Sequence, residues 1–295
     1  MRSDAGCKSV PPAEARSEFE AEAEAVVVSV GEALAAGRRQ LGEAGCDTPR
    51  LDAEVLLAAV LEVDRGRLVI DRDRALPAPT LVGFQELLSR RAAREPVAYI
   101  LGRRDFRRLS LTVDRRVLIP RPETELLVEV GLELPAGFRV LDVGTGSGAV
   151  ALALKDERPD LLVRGVDISS DALAVARGNA SRLGLDVDWV QADLLDGGPA
   201  DAVLANLPYV PVGAVLAPEI TGYEPPGALF AGADGLDLVR RLVSALAGPS
   251  VGLLAVEIGP EQARTVAELV GDGGFAGVQV RRDLAGFDRV VVGTG

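Results

Sequence analysis

The sequence predicts a doubly wound α/β domain, a mostly parallel sheet of seven strands with helices on both faces, preceded by a small helical domain. Three observations predict it. Beyond residue 139, short apolar runs alternate with helical patterns. A glycine-rich turn, Gly144-Thr-Gly-Ser-Gly148, follows the first run and opens a helix. The last two runs are separated only by a turn around Ala285-Gly286, the spacing of an antiparallel hairpin at a sheet edge.

Taken in order, residues 1–25 are mostly Ala, Glu, Ser and Pro with little periodicity, and read as a mobile tail. Residues 26–95 carry helical patterns and form the helical domain. Val30, Leu34 and Leu41 share one stripe. Thr48 stands as an N-cap before Pro49, ahead of Leu51, Val55, Leu56 and Ala59, and a third helix over about 81–93 stops before Pro96. Residues 96–125 read as a linker whose β-like runs at 109–113 and 116–119 predict a hairpin. Arg90, Arg91, Arg94, Arg103, Arg104, Arg107, Arg108, Arg115 and Arg116 crowd this region against only Glu95, Asp105 and Asp114. They suit either a solvated hairpin or a patch facing a negatively charged partner.

Residues 126–295 hold the α/β domain. Strands are expected at 139–143, 162–166, 187–190, 202–205 and 252–256, with the closing pair at 278–281 and 289–292. Helices are expected at 149–157, 170–183, 236–247 and 261–270. The runs are short and continuously apolar, as strands covered on both faces must be.

Composition bounds the chemistry. With 48% hydrophobic and 26% charged residues over 295 positions, the chain can bury a real core. Its net charge of −12 works against gripping a nucleic-acid backbone, which favours a basic face. Cys7 and Cys46 are the only cysteines and there is no histidine, which excludes a disulfide framework, His-dependent triads and His-ligated metal. No metal is expected. No stretch approaches the roughly 20 apolar residues of a membrane span, and the start lacks a secretory apolar run, so a cytoplasmic location without a membrane partner is expected.

At the glycine-rich turn, Gly144, Gly146 and Gly148 let the backbone bend and approach a ligand closely, with Thr145 and Ser147 between them. The spacing is GxGxG after Asp142, unlike the GxGxxG of dinucleotide binders. Asp142 supplies an anion for a cationic amino group. Asp167, at the end of the second strand, can accept both hydroxyls of a ribose, and Asp193, after the third, lies where an adenine amino group would be. Any one of these acids could be a helix cap or loop solvator. Three at successive strand ends beside the glycines point to a nucleoside site.

The fourth strand runs into Asn206-Leu-Pro-Tyr209. A planar amide or exocyclic-amine nitrogen is a poor nucleophile because its lone pair is delocalised. Two acceptors for its N–H bonds, the Asn206 side-chain oxygen and the Pro208 carbonyl, would aim the lone pair and absorb developing positive charge. Pro208 stiffens the turn, and Tyr209 can stack on the planar group. Transfer of a methyl group to such a nitrogen fits this set, with Asn206, Pro208 and Tyr209 as the catalytic residues.

With those motifs in hand, the chain resembles the HemK/PrmC family, the glutamine methyltransferases of peptide-chain release factors. The resemblance runs from about residue 51 to the C-terminus. Its most specific piece is Ile119-Pro-Arg-Pro-Glu-Thr-Glu125, similar to the family's linker signature. Glu95-Pro-Val-Ala-Tyr-Ile-Leu-Gly102, Tyr223-Glu-Pro, Ala228-Leu-Phe-Ala-Gly-Ala-Asp-Gly235 and Arg282-Asp-Leu-Ala-Gly-Phe-Asp-Arg289 add to it. It implies a Rossmann-like class I methyltransferase fold and an N-terminal bundle that helps engage the release factor. It also implies S-adenosylmethionine as cofactor, held by Asp142, Gly144 to Gly148, Asp167, Asp193, Leu194 beside the adenine, and Asn206. Asn206, Leu207, Pro208 and Tyr209 would hold the substrate glutamine, with Arg121 and Glu123 of the linker signature nearby. Two positions depart from the family pattern. Leu207 stands where Asn-Pro-Pro-Tyr has its first proline, and Thr221-Gly222 precede Tyr223 where an Arg is often near. Asn-Leu-Pro-Tyr is also similar to ribosomal-RNA adenine dimethyltransferases, so an adenine-N6 methyltransferase is the alternative reading.

Overall fold

A computed structural model describes residues 28–247 and 251–295; the tail expected at 1–25 lies outside them, as do the first two residues of the expected helical stretch. Among the described residues, the helical domain has five helices: α1 (Val30–Glu43), α2 (Pro49–Leu61), α3 (Arg65–Ile70), α4 (Ala78–Ala92) and α5 (Val97–Leu101). Ser29 and Glu32 form a reciprocal capping box that starts α1. Thr48 occupies the N-cap of α2 but does not cap it. Its hydroxyl donates to Asp52 at 2.8 Å, and Pro49, which needs no N–H partner, opens the helix instead. Leu41, Leu56, Leu57, Phe84 and Leu88 fill the centre of this domain.

The hairpin pairs β1 (Arg103–Phe106) with β2 (Leu109–Thr112), so its first strand lies before the run expected to supply one. Residues 116–119 form no strand. Asp114 folds that run into a turn by accepting the Arg116 N–H at 3.0 Å, and the Ile119 N–H goes to the Glu224 carboxylate at 3.1 Å. Backbone groups engaged by side chains cannot also join a ladder.

The catalytic-domain elements follow as α6 (Glu125–Leu132), β3 (Arg139–Val143), α7 (Ala149–Glu157), β4 (Leu162–Asp167), α8 (Ser170–Leu183), β5 (Asp188–Gln191) and β6 (Ala202–Ala205), and then α9 (Pro218–Tyr223), α10 (Asp237–Leu246), β7 (Leu253–Glu257), α11 (Ala263–Asp272), β8 (Gly277–Arg282) and β9 (Asp288–Thr294). The sheet order is β5-β4-β3-β6-β7-β9-β8, with β9 antiparallel to both neighbours and the rest parallel. The chain winds outward from β3 to β5, returns, and continues on the other side with β6. The carboxyl ends of β3 and β6 therefore flank the switch point where such sheets bind ligands. β6 is buried along its whole length, which is why Ala202–Ala205 reads as an uninterrupted apolar run. No helix among the described residues is long and apolar enough to cross a membrane.

The arginine-rich stretch is largely neutralised by partners distant in sequence. Arg91 is buried between Asp52 at 2.7 Å and Glu219 at 2.9 Å, and Arg94 reaches the other Glu219 oxygen at 2.6 Å. Arg107 pairs with Glu157, Arg90 with Glu95, Arg116 with Asp114, and Arg115 lies over the Tyr223 ring. The bonds of Arg91 and Arg94 to Glu219 fasten the helical domain to α9, reinforced by the Tyr223 hydroxyl donating to the Ala93 carbonyl at 2.8 Å. Among the described residues, Arg103, Arg104 and Arg115 keep no acidic partner, and Arg108 reaches Asp156 and Glu157 only at 3.8 and 3.6 Å.

Candidate active site

A cavity of about 520 Å³ opens at the carboxyl ends of β3, β4 and β6. Asp142, Gly144, Thr145, Gly146, Ser147, Asp167, Asp193, Leu194, Asn206, Leu207 and Pro208 all line it. Residues separated by more than sixty positions thus meet at one place because the parallel sheet brings their strand ends together.

At the first end, Asp142 is buried and accepts from the Thr145 hydroxyl at 2.6 Å and the Ala151 N–H at 3.1 Å, both on Oδ2. These bonds tie strand, glycine turn and α7 into one rigid corner. Burial pushes its carboxyl up to about 6 against the pull of those two donors. Asp167 accepts the Gly146 N–H on one oxygen and the Ser169 N–H on the other, each at 2.9 Å. Burial raises this carboxyl too, and the backbone donors oppose the shift. Each of its oxygens keeps lone-pair capacity for a hydroxyl. Asp193 pairs with Arg241 at 2.7 Å at the cavity rim. Leu194 holds a left-handed backbone, φ 67°, which a non-glycine residue adopts only when its surroundings enforce it.

At the second end, the Asn206 Nδ2 donates to the Thr124 hydroxyl at 3.0 Å, and among the described residues no donor reaches Oδ1. Among the described residues no donor reaches the Pro208 carbonyl. The turn leaving Pro208 is pinned on both sides. Val210 bonds across to Leu229 and Ala231, and the Gln262 amide donates to the Tyr209 carbonyl at 2.9 Å. Gly235, at φ 77°, packs so closely on that carbonyl that a Cβ there would lie 2.1 Å from it. Leu207 points down into the core beneath the turn, and both it and the Asn206 carbonyl crowd Gly144, so the two ends of the cavity share a wall.

Four expected site residues lie elsewhere. Tyr209 does not line the cavity; its hydroxyl turns toward Glu257, 3.4 Å away. Burial and the neighbouring Glu257 push its phenol well above the usual range. Gly148 caps the start of α7 against Trp189 and Leu152. Arg121 pairs with the buried Glu224, and Glu123 lies 3.8 Å from Arg289, so both organise the linker rather than line the cavity. Conversely, Val117, Leu118, Pro120 and Thr124 from the linker and Pro225, Gly227 and Ala228 after α9 do line it. Of the first group, the linker signature contains Pro120 and Thr124, while Val117 and Leu118 precede it.

Comparisons with known proteins decide the family. Residues 32–102 match the family described as PrmC N-terminal domain, and residues 122–218 match the methyltransferase small domain. The release factor glutamine methyltransferase of Rhodospirillum rubrum is 41% identical over 286 residues, covering 92% of this chain and 87% of that protein. Its namesake from Mycolicibacterium smegmatis is 42% identical over 273 residues, covering 89% and 96%. The chain belongs to the release factor glutamine methyltransferase family. It is therefore an enzyme of methyl transfer, with the class I fold that the resemblance implied. Among solved structures, the hMettl16 catalytic domain superposes with a TM-score of 0.54 at 16% identity, covering 71% of this chain and 82% of that one. That likeness concerns the fold alone. One half of the cavity is walled by Asp142, Gly146 and Asp167, and the other by Asn206 and Pro208.

Proposed function

We propose that this methyltransferase moves the methyl group of S-adenosylmethionine to the side-chain nitrogen of the glutamine in the Gly-Gly-Gln motif of a peptide-chain release factor, in the cytoplasm. The observation that carries the reading is the Asn206 amide: its donor end is taken by Thr124, and Asn206 lines the same cavity as Pro208. Two acceptors suit an –NH₂ group that must be held by both hydrogens. Asp167 and the glycine turn suit the ribose and the adjoining chain of the nucleoside, and the free oxygen of Asp142 suits a cationic amino group.

The sulfonium supplies an activated methyl and leaves as a neutral thioether, so the protein needs no metal and no covalent intermediate. Asn206 and Pro208 turn the amide so that its lone pair faces the methyl carbon. As the N–C bond forms and the S–C bond breaks, positive charge grows on nitrogen and both acceptors hold it more strongly than in the ground state. The nitrogen then gives up one proton to solvent. Labelled S-adenosylmethionine offered with a purified release factor and with ribosomal RNA tests the reading. Label on the glutamine side chain is the expected result, whereas label on RNA alone would transfer the case to adenine methylation.

A further inference from the structure

One buried acid beside the reacting turn has no part in the chemistry described so far. Glu257 ends β7 and is 1% exposed. Val256 pairs with Ala205 in the sheet, so Glu257 lies beside Asn206 one position further along. One carboxylate oxygen faces the Tyr209 hydroxyl at 3.4 Å, and among the described residues Oε2 has no hydrogen-bond partner. The nearby Thr124 hydroxyl favours the charged form of the carboxyl, although among the described residues only Tyr209 forms a hydrogen bond to it. The other charges facing it are Glu123 and Arg289. An acid left so poorly satisfied in a core is costly, and a fold keeps such a group where it serves a purpose.

We propose that Glu257 is a positioning residue for methyl transfer, which draws the hydroxyl hydrogens of Thr124 and Tyr209 toward itself and thereby fixes which end of the Asn206 amide faces the substrate. This rests on the reading of Asn206 as the acceptor for the reacting nitrogen. Thr124 has a single hydroxyl hydrogen. With that hydrogen directed at an ionised Glu257, only oxygen lone pairs face Asn206, so Asn206 must present its N–H to Thr124 and its oxygen to the cavity. With the hydrogen directed at Asn206 instead, the amide turns over and offers N–H donors to a substrate –NH₂ that is itself a donor. An ionised carboxylate accepts only, so it enforces the first arrangement, whereas the protonated acid can donate to Thr124 and permits the second. Tyr209, drawn to the same carboxylate, ties the far side of the turn to the same point.

Burial pushes the Glu257 carboxyl up to about 7, Glu123 adds to the rise, and Thr124, Tyr209 and Arg289 oppose it. Transfer should therefore quicken as pH rises through neutrality. The test is a set of single-turnover pH–rate profiles on a Gly-Gly-Gln peptide with cofactor titrations alongside. Glu257→Gln keeps size but adds a donor. It should slow transfer about ten- to a hundredfold, as loss of a group that orients a functional partner does, without weakening cofactor binding, and should erase the rise near neutral pH. Thr124→Val should reproduce the loss and Thr124→Ser restore the rate. Carboxyl ¹³C resonances of glutamate-labelled protein give a readout independent of turnover, in which Thr124→Val should move the Glu257 midpoint upward. A Glu257→Gln enzyme with the wild-type rate and profile overturns the proposal, and so does a Glu257 midpoint indifferent to Thr124→Val. A wild-type enzyme inert toward the peptide overturns the glutamine reading instead, and the titration then decides the role of Glu257 by itself.

Discussion

The two halves of the cavity are built by different means. In the half proposed to hold the nucleoside, most key contacts are short in sequence: Asp142 holds Thr145 and Ala151, Asp167 holds Ser169 two residues on, and the longest, Asp167 to the Gly146 N–H, spans 21 positions. In the reacting half, the contacts are long. Asn206 depends on Thr124, 82 positions earlier, and the Tyr209 carbonyl on Gln262, 53 positions later. Local contacts make a binding corner that forms wherever the strand–turn–helix forms. Distant contacts let the linker and the end of the sheet set the geometry of the reaction. The difference teaches that cofactor binding and catalytic rate should respond to separate sets of substitutions.

The largest expected effect falls on the reacting half. Asn206→Ala should lower single-turnover transfer by about 10²–10³, the scale of one lost preorganised contact, while calorimetry shows unchanged cofactor affinity. A parallel loss of cofactor affinity would break the division. Next comes the pH dependence of the corner itself. The Asp142 carboxyl is raised from 3.8 to about 6 in the fold, so the folded state binds its proton more tightly than the unfolded chain. The sign follows: this group leaves stability intact below the unfolded value and costs stability as pH rises through about 4 to 6, by roughly a few kcal/mol. Asp142→Asn, which keeps an acceptor oxygen for Thr145 and Ala151, should flatten that fall in melts of the cofactor-free protein across this window.

The same contrast explains what the sequence could and could not convey. The glycine turn, Asp142, Asp167 and the strands carrying them were legible because their signals are periodic or local. The position of Asn206 was legible too, since the end of a buried strand locates it. The orientation of its amide was not, because Thr124 belongs to another element. Tyr209 was expected to stack on the substrate, and only the fold reveals Glu257 beneath it. Residues 116–119 looked like a strand because Val117, Leu118 and Ile119 are apolar. Glu224, more than a hundred positions away, takes the Ile119 N–H that a strand would have needed. The arginines looked unpaired for a similar reason, since Asp52, Glu157 and Glu219 lie outside any local window.

Two smaller effects sharpen the division. Asp167→Ala should weaken cofactor binding by about 1.5–3 kcal/mol, the range for hydrogen bonds to a charged group, and leave the rate at saturating cofactor near that of the wild type. Calorimetry together with saturation kinetics measures both. Leu207→Pro should be the mildest. It restores the family pattern, and among the described residues no acceptor uses the Leu207 N–H. It gives up part of a buried side chain, so stability should fall by about 0.5–1.5 kcal/mol with turnover retained, as denaturant melts and a transfer assay would register.

The independence of the two halves is tested most directly by combining Asn206→Ala and Asp167→Ala and measuring single-turnover transfer to a Gly-Gly-Gln peptide over a range of cofactor concentrations. The wild type, both single variants and the double variant complete the cycle. The predicted result is a rate loss from Asn206→Ala alone, an affinity loss from Asp167→Ala alone, and a double variant whose free-energy changes add within about 0.5 kcal/mol. Full transfer by the Asn206→Ala enzyme, or a double variant far from additive, would contradict it.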